Sequence, residues 1–90
     1  MTAQAMFAKY EHAPLGKTVK VAKIGQDTAY RITKEQAYCG SRATAYTIVF
    51  VRHMGPDYSG RVVSLDSYNR RFMSKDKAIE WAQEVGRFLR

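Results

Sequence analysis

The apolar and polar residues fall into two periods, a strand-like alternation through the middle of the chain and a helical repeat at its end. The densest stretch is 44–51, Thr-Ala-Tyr-Thr-Ile-Val-Phe-Val, nearly all β-branched or aromatic. Both of its parities are apolar, which predicts a central strand covered on both faces. Ala45, Thr47, Val49 and Val51 form a small, smooth face. Tyr46, Ile48 and Phe50 form the other, with Arg52 at its end.

Residues 17–24 predict a second strand, with Val19 and Val21 on one parity and Lys20, Ala22 and Ile24 on the other. Gly25-Gln26-Asp27 suits a three-residue hairpin loop. The chain returns over 28–33 with Tyr30 and Ile32 on one side and Ala29 and Arg31 on the other. Thr33-Lys34-Glu35-Gln36 fits a capping box and Gly40 sits where a helix C′ glycine would. This predicts one helical turn over about 34–39, the alternative being that the strand simply continues over 30–38. After a Gly/Pro-rich loop over 54–60, residues 61–67 pair back, with Val63 and Leu65 on one parity. Asp66-Ser67-Tyr68-Asn69 bends the chain, and a basic corner follows.

The helical period is clearest at the end. Ser74 is a good N-cap, Asp76 suits the first turn, and Met73 is placed to pack back on Ala78 as a hydrophobic staple. Ala78, Ile79, Trp81, Ala82, Val85, Phe88 and Leu89 make the inner face; Lys77, Glu80, Gln83, Glu84 and Arg87 make the outer one. Gly86 weakens the last turn or marks a close contact. Near the start, Ala3, Met6, Phe7 and Tyr10 have the spacing of one helical face, a short helix or ordered arm that ends at the breaker cluster 12–16. The expected fold is α+β: about four mainly antiparallel strands, a C-terminal amphipathic helix over about 74–90 packed on one face, and a short N-terminal helix.

Composition narrows the partners. Ninety residues, 46% of them hydrophobic, suit one small domain over 1–90 rather than a disordered tail. The imbalance of 15 Lys and Arg against 8 Asp and Glu gives a net charge of +7, the footprint of a protein with a polyanionic or acidic partner. Cys39 is the single cysteine, so no intramolecular disulfide forms and a reducing cytoplasm is expected. The first residues lack a signal-peptide pattern, and no apolar run approaches the ~18 residues of a membrane span.

Chemistry for catalysis is thin. His12 and His53 stand apart from acidic residues at ligand-like spacing, Cys39 has no nucleophile signature, and Asp57 and Asp66 occupy turn-like positions. No glycine-rich phosphate loop precedes the last helix. No enzyme activity, cofactor or metal is expected.

Binding to nucleic acid is the better expectation. Lys17, Lys20, Lys23 and Arg31 lie on the first hairpin, Arg52 and Arg61 flank the second loop, and Arg70, Arg71, Lys75 and Lys77 cluster where the last strand meets the helix. Such side chains neutralise phosphates and release counterions, and the first helical turn supplies amides for one phosphate. Tyr30, Tyr46, Phe50, Tyr58 and Tyr68 are interleaved with this charge. Tyr58 and Tyr68 are the aromatics assigned to the site, whereas Tyr30, Tyr46 and Phe50 suit a core role better than a stacking one. The rival reading is a protein-interaction module or inhibitor, for instance a phage-type protein that blocks a host defence complex, docking its basic surface on an acidic protein site. A homodimer through an exposed strand edge is compatible with either. The Phe72–Trp81 stretch resembles the end of integrase arm-binding domains, and Ser74-Lys75-Asp76-Lys77-Ala78 resembles a turn of double-stranded-RNA-binding domains. The second departs from its pattern because Gly55-Pro56 leaves room for one further strand instead of two, and neither resemblance assigns a family.

Overall fold

In the computed structural model, which describes residues 1–10, 14, 16–38, 40, 42–56 and 59–89, the chain forms an α+β structure. The elements run α1 (Ala3–Lys9), β1 (Lys17–Ile24), β2 (Thr28–Gln36), β3 (Thr44–His53), β4 (Val62–Ser64), β5 (Arg70–Phe72) and α2 (Lys75–Leu89). All strand pairs are antiparallel. The sheet runs β1-β2-β3, and the far side of β3 is shared by β4 at its end and β5 near its start.

A 3-10 turn over Asp66–Tyr68 separates β4 from β5, and here the ladder would leave polar groups of β3 unpaired. Two substitutes fill the gap. The Leu65 amide donates to the Phe50 carbonyl at 2.8 Å, and the Phe50 amide donates to Asn69 Oδ1 at 2.8 Å. Asn69 Nδ2 then donates to Ser64 Oγ at 2.8 Å, so one side chain ties the two short strands together, and the amide and carbonyl of Phe50 are both paired at this break. The bend expected at 66–69 is present; the strand β5 beyond it, within the basic corner, is an addition.

The sheet is covered on both faces, as the two apolar parities of β3 require. On one face α2 lies over Ile24, Tyr30, Ile32, Ile48 and Phe50 with Ala78, Ala82 and Val85. On the other, Ala3 and Met6 of α1 pack on Ala29 and Val51. The Thr2 hydroxyl caps α1, accepting from the Ala5 amide at 3.1 Å.

Four sequence expectations are corrected. The helical turn expected over about 34–39 is absent from the described residues 34–38: β2 continues to Gln36, pairing Lys34 with Tyr46, Glu35 with Ala45 and Gln36 with Thr44. A capping box is worth about 1 kcal/mol, less than a continued ladder against the most β-prone strand. Gly40, at φ 78, serves the β2–β3 connection instead. A register shift between Thr18 and Lys20 turns Val19 to the α2 side while Val21 packs with α1, because a bulge breaks strict alternation. Phe88 does not join the inner face of α2 and is 78% exposed, and Met73, at 64%, is no buried staple. Tyr58, Asp57, Cys39, His12 and Arg90 lie outside the described residues.

Candidate nucleic-acid interface

Strand register decides which cations stand together. Lys17 pairs with Lys34, Lys34 with Tyr46, and Tyr46 with Phe72, giving one row across β1, β2, β3 and β5 on the α2 side of the sheet. At the ~4.8 Å strand spacing these four residues span about 15 Å. Both lysines are exposed, and Tyr46 and Phe72 are half-buried at the margin of the α2 core. Beyond the row, Gln36 and Thr44 close the ladder, and the connecting segment carries exposed Tyr38 and Arg42. The chain leaves β5 at Phe72 and starts α2 at Lys75, so exposed Lys75 and Lys77 belong to this end as well.

Acidic groups do little to offset this charge. Glu35 points to the opposite face, with its side chain only 8% exposed, and is held by Arg71 Nη2 at 2.6 Å and by the Thr47 hydroxyl at 2.5 Å. Arg71 Nη1 also donates to the Ala37 carbonyl at 2.9 Å. The ion pair is therefore self-neutralising and links β2, β3 and β5. Asp76, in the first turn of α2, and Glu80, beside Lys77, are further acids at this end.

The predicted basic corner is split by strand alternation. Arg70 pairs with Ile48 and Arg71 with Thr47, so the two point to opposite faces. The Arg70 guanidinium stacks 4.0 Å over the Trp81 ring, and Trp81 Nε1 donates to the Tyr68 carbonyl at 2.8 Å. Tyr68 is half-buried between Phe50 and Phe88, with ring centroids 6.3 and 6.5 Å away. Lys77 approaches Glu80 at 3.7 Å.

The remaining predicted cations, Lys20 apart, lie elsewhere. Arg31 is 7% exposed and sits beneath α1, its guanidinium 4.8 Å from the Phe7 ring centroid. Burial lowers its pKa from the ordinary arginine value, while the Tyr10 charge acts in the opposite sense. It is a cation of the α1 core, removed from any exposed phosphate surface. Lys20, half-buried opposite Ile32, is on the α2 side one ladder step from the Lys17–Lys34 pair, whereas Lys23 is exposed opposite Ala29 on the other face. Arg52, half-buried, and Arg61, exposed, stand toward the β1–β2 turn, about 30 Å along β3 from its start. Arg61 lines a cleft of about 410 Å³ with Lys9, Tyr10 and Asp66.

Register and the start of α2 thus bring together Lys17, Lys20, Lys75 and Lys77 of the predicted set and separate them from Lys23, Arg31, Arg52 and Arg61. Lys34 and Tyr46 stand in the same row and Arg42 at the same end, and none of the three is among the predicted site residues. The signal for Lys34 and Tyr46 was strand parity: once β2 extends past Thr33, they are forced side by side. Comparison with protein-family models, curated proteins and solved structures gives no match to this chain.

Proposed function

We propose that this is a non-enzymatic nucleic-acid-binding or accessory protein that holds phosphates at the Lys17–Lys34 end of its sheet. The observation that carries the proposal is the direct cross-strand pairing of two exposed lysines. Like charges opposite each other cost roughly 0.2–1 kcal/mol, and a bound polyanion converts that cost into attraction. The single cysteine suits a cytoplasmic setting for such a protein.

The test is fluorescence anisotropy of labelled DNA and RNA, single- and double-stranded, across a salt series. Binding at low salt is expected, with log Kobs falling linearly by about 0.7–0.9 per phosphate contact. No binding of any probe at low salt overturns the proposal.

A second reading, docking on an acidic protein as an adaptor or inhibitor, is favoured by one separate feature. Phe88 stands 78% exposed beside a shallow apolar groove of about 440 Å³ formed with Tyr68, Trp81 and Val85. An exposed aromatic next to such a groove is typical of a protein-binding anchor. A complex that survives nuclease treatment and is lost on Phe88→Ala supports this reading over the first.

A further inference from the structure

We infer that the polyanion is single-stranded and lies along the row Lys17–Lys34–Tyr46–Phe72, with Tyr46 as its base-stacking platform; this rests on the nucleic-acid reading above. The row has two chemistries in sequence, two ammonium groups and then two rings. Lysines hold a backbone, whereas a ring face is useful only to a base that can leave its neighbours and lie flat. In a duplex the base faces are already stacked inside. Tyr46 is half-buried at the margin of the α2 core, so its ring is held in place before any base arrives. Tyr38, 70% exposed at the same end, offers a second aromatic surface.

Duplex recognition is disfavoured by what else the fold presents. A helix that enters a major groove must offer its exposed side to DNA. The exposed side of α2 sets Asp76, Glu80 and Glu84 against Lys75, Lys77 and Arg87, so it has no net positive charge to lay along a duplex backbone, and its other side is spent on Ile48, Phe50 and Tyr30. The β1–β2 turn carries Asp27 at its tip, so the hairpin is a poor ribbon for a groove. The open strand row is what remains.

The experiment compares an oligothymidine strand with a mixed-sequence duplex of equal length at one low salt concentration. The strand is expected to bind about tenfold or more tightly. Tyr46→Ala should weaken strand binding by about fivefold or more while leaving duplex binding and the salt slope unchanged, and Tyr46→Phe should retain it. Lys34→Gln should lower the strand's salt slope by about 0.7. Circular dichroism melting of each variant separates loss of binding from loss of fold. Equal or tighter duplex binding, or a folded Tyr46→Ala protein with undiminished strand affinity, overturns the inference while leaving the broader proposal standing. Failure of every probe to bind removes both.

Discussion

Where β1 turns into β2, Ile24, Tyr30 and Phe50 lie beneath Val85 and Gly86 of α2, while α1 closes the opposite face over Ala29 and Val51. At the other end of the same strands, Lys17 faces Lys34, and Tyr46 and Phe72 stand half-buried at the edge of the core. The closed end is arranged for stability, with small residues on the helix allowing close approach to the sheet. The open end departs from it by placing like charges side by side. A local departure of this kind, in a sheet otherwise consistent in pattern and packing, supports the proposal that this end binds a polyanion.

The largest effect expected at the open end comes from removing the Arg71–Glu35 ion pair. Arg71→Ala leaves Glu35 almost buried without its cation and removes the hydrogen bond to Ala37. The loss should be about 1–3 kcal/mol, toward the lower part of that range because Arg71 is itself half exposed. Urea unfolding should show a lower midpoint with an unchanged m-value; no shift in the midpoint would remove the Glu35–Thr47–Arg71 link from the account. For this reason Arg71 is a poor probe of phosphate binding, and Lys34 is a better one.

A smaller effect of opposite sign is expected at the closed end. A Cβ on Gly86 would meet Ile24 side-chain carbons at 3.7 to 3.9 Å, an ordinary contact. Gly86→Ala should therefore stabilise the protein by up to about 1 kcal/mol through helix propensity and reduced freedom of the unfolded chain. Thermal melting should show a Tm raised by several degrees, with nucleic-acid affinity unchanged. A lowered Tm would mean that α2 and β1 are packed too tightly there to accept a methyl group.

Much of the closed end was legible in the sequence, because residues that face a core announce it by period. The face assignments of β3, the first hairpin and the inner positions Ala78, Ala82 and Val85 all follow from alternation or helical spacing. The open end was harder to read for three physical reasons. A capping-box pattern at Thr33–Gln36 competes locally with a strand whose stabilising partner, β3, comes later in the chain. A three-residue strand such as β5 has too few positions to display a period, and its existence depends on the unpaired edge of β3. A bulge is invisible to parity counting, so Val19 was expected on the face opposite to the one it takes. Arg31 and Phe88 err in complementary directions. Arg31 has the parity of Ala29 and is buried because α1 brings Phe7 over it, whereas Phe88 keeps the helical spacing beside the 3-10 turn and stays exposed.

The most direct test of the central claim is a titration of isotope-labelled protein with oligothymidine, followed by amide chemical shifts in heteronuclear NMR spectra. Binding across the open end predicts that the largest changes fall on Lys17, Thr18, Lys34, Tyr46 and Phe72, with the indole N–H of Trp81, bonded to the Tyr68 carbonyl, left unmoved. Changes centred on Trp81 and Phe88, with Lys17, Lys34 and Tyr46 undisturbed, would contradict it.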